Sequence, residues 1–287
     1  MEYFELNDGN KMPAVGFGTY KLTDPEETPN TVDAAISAGY RLIDTARVYT
    51  NEALVGKGIK QNGIPRDQLF VTSKVWISDN GYDKTKQAID SSLEKLQLDY
   101  LDLYLIHQPY GDNYGSWRAM EEAQAAGKIK SLGVSNFPDY QITDLAQFNK
   151  VKPAINQIEI NPWNQEKATV DYLKSYGIQP EAWAPFAQGY DHIFTNPTLS
   201  QIAESHGKGV GQVMLRWLFQ RGIVSIAKSA KPARIKENVD VFDFNLSDDE
   251  MKQISELDRK EGVSADHTDP KTVLRLSKYT TNLNGLD

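Results

Sequence analysis

The chain has 287 residues, 40% hydrophobic and 24% charged, with 31 basic against 39 acidic side chains and a formal charge of −8. This is ordinary globular usage with ample apolar material for a core, which argues against disorder, and the negative balance opposes nonspecific attraction to nucleic acid or an anionic membrane surface. No cysteine is present, so disulfides, thiolate nucleophiles, Cys-containing zinc sites and thiol redox chemistry are removed together, and any redox step must borrow a cofactor.

In chain order, the N-terminal MEYFELNDGNKMP has no charged segment leading into an apolar run, and no later stretch approaches the roughly 20 apolar residues that span a bilayer. A cytoplasmic location is expected. Asn7-Asp8-Gly9-Asn10 offers the turn conformations of a hairpin, predicted across residues 1–14. Eight short apolar runs follow: AVGFG, YRLID, LFVTSK, LDLYLIH, IKSLGVS, AINQIEI, QPEAW and GIVSIAK. Between them lie stretches of helical periodicity, such as Thr85 to Leu96, Thr169 to Tyr176 and Val210 to Phe219. Strands alternating with helices imply a parallel sheet, and eight such units in one domain imply a closed (β/α)8 TIM barrel. An open doubly wound sheet would carry G-x-G-x-x-G, which is absent. Two extra helices are expected, at Pro197 to His206 and at Ser247 to Leu257, the second opening on the capping-box pair Ser247 and Glu250. The polar residues 262–287 read as an irregular tail or a loop closing over one barrel mouth, and residues 1–287 as one domain.

Barrel active sites lie at the C-terminal ends of the strands, so titratable residues that terminate apolar runs are the first candidates. Asp44 ends RLI, Lys74 ends LFVTS, His107 ends LDLYLI, and Tyr49 follows Asp44 by five residues. Singly they read as a helix cap, a surface ion pair, a core histidine and a packing ring. Together at three strand ends they define one pocket.

Gly39-Tyr40-Arg41-Leu42-Ile43-Asp44-Thr45-Ala46 followed by Tyr49-Thr50-Asn51-Glu52 resembles the signature of the aldo-keto reductase family. The resemblance runs through Thr72-Ser73-Lys74-Val75-Trp76, Leu103 to His107, Gly133 to Phe137, Asn156 to Glu159 and Ala227-Lys228-Ser229 with Arg234-Ile235 and Glu237-Asn238. It is nearest to the bacterial branch of diketogluconate, glyoxal and methylglyoxal reductases. It implies a catalytic tetrad of Asp44, Tyr49, Lys74 and His107 that reduces aldehydes and ketones by hydride transfer from NADPH. A carbonyl that accepts hydride gathers negative charge on oxygen and then needs a proton, so a positioned acid is required. Tyr49 takes that role, with the Lys74 ammonium expected to draw its pKa down toward the working pH, Asp44 holding Lys74, and neutral His107 orienting the carbonyl.

The resemblance further places Ser135, Asn136 and Gln157 on the nicotinamide carboxamide, Trp183 on the nicotinamide ring, and Lys228, Ser229, Arg234 and Asn238 around the adenosine 2′-phosphate and adenine. Two cations and a hydroxyl suit a dianion, which favours NADPH over NADH. Ala184 stands where relatives often have serine, Ala227 where proline is common, and Gln108 where many have tryptophan. Tyr20, Trp76, Tyr110 and Trp117, with His107, are the expected walls of the substrate pocket. The expected partner is a small-molecule carbonyl, with no metal, no nucleic acid and no membrane, and a monomer. The competing reading is an NADPH-binding regulatory or sensor protein with slow reductase chemistry. A metal-dependent hydrolase is disfavoured because His107, His192, His206 and His267 show no ligand spacing.

Overall fold

The structure is a computed structural model in which residues 1–263 and 266–281 are described. β1 (Tyr3–Glu5) and β2 (Lys11–Pro13) form the antiparallel hairpin around the 7–10 turn. β3 (Val15–Gly18), β4 (Leu42–Asp44), β5 (Phe70–Val75), β6 (Leu101–Ile106), β7 (Ile129–Ser135), β8 (Ile155–Glu159), β9 (Gln179–Trp183) and β10 (Val224–Ala227) are all parallel and close on themselves, β10 pairing with β3. Each expected apolar run overlaps one of these strands, β5 running one residue past its run to Val75.

Side chains alternate across a strand, so the inward set is every second residue. Leu42, Phe70, Leu103, Leu105, Ile155, Val224 and Ile226 meet Leu6 and Met12 of the hairpin in one apolar cluster that plugs the N-terminal end of the barrel. Toward the C-terminal end the same inward rows become polar: Leu42 gives way to Asp44, Phe70 to Thr72 and then Lys74, and Ile155 to Gln157. The floor of a site is therefore written into the strand alternation. Gly16 is required by this packing, since a Cβ there would fall 2.6 Å from both Ile226 and Leu42. The outward residues, among them Phe17, Ile43, Val71, Tyr104, Val134 and Ile158, join the larger cluster beneath the helices. The hairpin is tied down by Asn7, whose amide donates to the Pro153 and Gly177 carbonyls.

The helix predicted from Thr85 begins earlier and spans Tyr82–Leu96, and the other two run Lys167–Ser175 and Val210–Gln220. Both extra helices are present, Pro197–Ser205 and Asp248–Ser255, and Ser247 and Glu250 form the expected reciprocal cap. The tail corrects the sequence reading. Its irregular composition contains a helix, Pro270–Leu276, started by the Asp269 side chain on the Lys271 N–H. Residues 264, 265 and 282–287 of the predicted tail lie outside the described residues. No described helix is long and apolar enough to cross a membrane.

Candidate active site

At the C-terminal mouth the Lys74 ammonium, with no solvent exposure, donates to Asp44 Oδ1 at 2.6 Å, Asp44 Oδ2 at 2.7 Å and the Thr45 carbonyl at 2.9 Å. Pairing with a carboxylate and hydrogen bonding to a carbonyl is the condition for keeping a buried charge. Tyr49 stands above this pair, its ring centroid 5.2 Å from Lys74 Nζ and 5.7 Å from the His107 ring, which it meets edge-on. The three strand-end residues and Tyr49 are thus brought together.

Tyr49 sits in the short turn Arg47–Tyr49, and two buried side chains that the sequence reading left without a role hold that turn. Asn51 accepts from Thr45 Oγ1 and donates to the Thr19 and Leu22 carbonyls, each at 2.8 Å. Arg47 donates to Asp79 at 2.8 Å and to the Ala88 carbonyl at 3.2 Å. A turn pinned on both sides loses little further freedom when it acts, which is how an acid is kept aimed.

Burial pushes the Tyr49 phenol up to about 12, outweighing the downward pull of Lys74. The expectation that Lys74 brings it down toward neutrality is therefore corrected: desolvation opposes the phenolate more than one neighbouring ammonium, itself paired with Asp44, favours it. The phenol is fully protonated at neutral pH. Burial, then the Lys74 charge, hold the His107 imidazole well below its usual range, so it is neutral.

The residues expected on the nicotinamide form a connected row. Ser135 Oγ donates to the Gln157 carbonyl at 2.8 Å, Asn136 Nδ2 to Ser135 Oγ at 3.1 Å and the His107 carbonyl at 3.2 Å, and Trp183 Nε1 to Asn136 Oδ1 at 2.9 Å. Gln157 Nε2 donates downward to Asp44 Oδ2 and to Glu181, a buried acid the sequence reading missed. Its signal was present: Glu181 lies two residues before Trp183 on one strand and therefore shares its face. Around the remaining group, Ser229 and Asn238 are buried, while Lys228 and Arg234 are exposed beside the start of the helix Pro232–Val239.

Of the expected substrate walls, Trp76 packs edge-on to His107 at 5.1 Å, and Tyr20 lies 5.1 Å from Tyr49 with half its surface exposed. Tyr110 is at the mouth and donates to the His267 carbonyl at 2.7 Å, while Trp76 Nε1 donates to the Tyr279 carbonyl at 2.8 Å. These two bonds draw the tail across the opening. Trp117 does not belong to this set. It is fully buried on the helix Asn113–Ala125, its indole donating to the Val151 carbonyl on the outside of the barrel. Helical periodicity turned it to the core instead of the mouth.

The model of the aldo/keto reductase family matches residues 14–259. A glyoxal reductase of Bacillus subtilis is 49% identical over 260 residues, 90% of this chain and 94% of that protein. A morphine 6-dehydrogenase of Pseudomonas putida is 44% identical, covering 93% and 95%. Among solved structures, an aldo-keto reductase from a Medee basin deep-sea metagenome library superposes with a TM-score of 0.90 at 40% identity, covering 93% of this chain and 98% of that one. A Bombyx mori aldo-keto reductase solved in complex with NADP gives 0.87 at 38%, covering 92% and 95%.

Proposed function

This chain belongs to the aldo/keto reductase family, and on that premise we propose that it reduces small carbonyls with NADPH through Asp44, Tyr49, Lys74 and His107. The observation that carries the reading is the fully buried Lys74–Asp44 pair beneath Tyr49 and His107 at the barrel mouth. The residues present fit the cofactor. Lys228 and Arg234 are exposed and flank in sequence the buried Ser229 hydroxyl, a donor set for a phosphate dianion. Ser135, Asn136 and Gln157 would hold the carboxamide and Trp183 the ring.

Bound NADPH supplies the hydride. Tyr49 holds the proton that the reduced carbonyl oxygen takes up, and its protonated state at neutral pH makes that proton available. As the proton leaves, Lys74 stabilises the phenolate, and Asp44 keeps Lys74 charged and in place. Neutral His107 donates to the substrate oxygen and orients it. The tail held by Trp76 and Tyr110 narrows the mouth and excludes water.

The substrate class we assign is small aldehydes and ketones such as glyoxal, methylglyoxal or keto-sugars, walled by Tyr20, Trp76 and Tyr110. The glyoxal reductase relative supports this assignment. Action as a single-domain cytoplasmic monomer completes the reading. Mixing the protein with NADPH and glyoxal should bleach the nicotinamide absorbance, whereas no bleaching with glyoxal, methylglyoxal or a keto-sugar sinks the proposal. Arg234→Ala should weaken NADPH binding about tenfold or more while leaving NADH nearly unchanged, since one charge-assisted contact to the phosphate is removed. Equal weakening of both in a fluorescence titration would remove Arg234 from the phosphate site.

A further inference from the structure

Beneath the tetrad lies an acid for which the proposed chemistry has no use. Glu181 on β9 is fully buried and is the register partner of Gln157 on β8. Gln157 Nε2 donates to Glu181 Oε2 at 3.0 Å and to Asp44 Oδ2 at 3.1 Å, so one amide NH2 spans two carboxyl groups and spends both hydrogens. Turned over, the amide would set its oxygen against Asp44, which is ion-paired with Lys74 and can only accept. We infer that Glu181 is a positioning residue for cofactor binding: with Asp44 it fixes Gln157 so that the NH2 faces the barrel floor and the amide oxygen faces the mouth, ready to accept from the cofactor's carboxamide. The inference rests on the NADPH reading above.

The charge balance of the floor agrees. Asp44 from β4 and Lys74 from β5 are the charged groups that face Glu181, while Gln157 and Val224, its register partners on β8 and β10, carry no charge. Burial first, then Asp44, push Glu181 up to about 8, against the weaker pull of the Gln157 bond and Lys74. At neutral pH it holds a proton. Oε2 is the acceptor for Gln157, and Oε1 is enclosed without a partner among the described residues. Two carboxyl groups and one ammonium then sum to zero charge. Above pH 8 the floor gains a negative charge below the nicotinamide position, which favours the cationic oxidised ring over the neutral reduced one.

Titration of tryptophan fluorescence with NADPH and with NADP+, on either side of pH 8, tests this in the full chain. In the wild type the affinity ratio should shift several-fold toward NADP+ as pH rises through 8. Glu181→Gln retains an acceptor for Gln157 but cannot titrate, so it should bind NADPH within about twofold of wild type and show no such shift. Glu181→Leu should weaken NADPH about tenfold. A folded Glu181→Leu protein with wild-type affinity, or a Glu181→Gln protein with the wild-type pH response, would overturn the inference. Should the leucine variant fail to fold, the pH response of the glutamine variant decides alone. A wild type that binds neither nucleotide would overturn the cofactor reading and this inference together, whereas wild-type binding with unaltered variants overturns this inference only.

Discussion

Asp44, Lys74 and His107 were legible in sequence because each places a costly polar group at the end of an apolar run, where a strand meets the barrel mouth. What the residues alone could not give was the balance of opposing effects on Tyr49, since burial depends on everything packed around the ring. The Lys74–Asp44 pair yields a direct test. Lys74→Met leaves a buried carboxylate uncompensated and should cost about 3–5 kcal/mol in urea unfolding, with loss of turnover. A variant as stable as wild type would show that Asp44 is satisfied without Lys74. Glu181 gives a second test through pH. Its folded pKa of about 8 lies above the unfolded carboxyl value of 4.5, so between these limits the folded state retains a proton that the unfolded state releases. Its contribution to stability is complete below 4.5 and is lost as pH rises through 8. The thermal midpoint of the wild type should therefore fall relative to that of Glu181→Gln over this interval, and parallel curves would contradict the shift.

At the level of elements, the strands were the most legible part because an apolar run bounded by helical periodicity has few other readings. IKSLGVS and QPEAW match β7 and β9 residue for residue. The tail helix Pro270–Leu276 was not legible: seven residues carry too little periodicity, and the segment is held by its Asp269 cap and by distant partners such as Trp76 and Tyr110. Trp117 failed for the opposite reason, an aromatic residue near the candidate site whose helix faces the other way. Trp117→Ala should cost about 3–5 kcal/mol of stability through the cavity it leaves. The ratio of kcat/KM for glyoxal to that for a bulkier aldehyde should stay unchanged, and a shift in that ratio would return Trp117 to the pocket wall.

Across the whole molecule, one alternation rule accounts for the distribution of function. The inward rows are apolar where the N-terminal hairpin closes the barrel and polar where the tail crosses it, so stability is concentrated at one end and chemistry at the other. Exposed Lys228 and Arg234 stand at the tetrad's end of the barrel, after β10, despite the net charge of −8. On the proposed function, this polar end transfers a proton from Tyr49 to a carbonyl reduced by NADPH. Single-turnover bleaching of enzyme-bound NADPH with methylglyoxal, in the wild type and in Tyr49→Phe at matched nucleotide saturation, measures that proton transfer. The phenylalanine variant should bind NADPH normally and react about 100-fold more slowly or worse, the scale of general acid catalysis. An unchanged rate in the variant would contradict it.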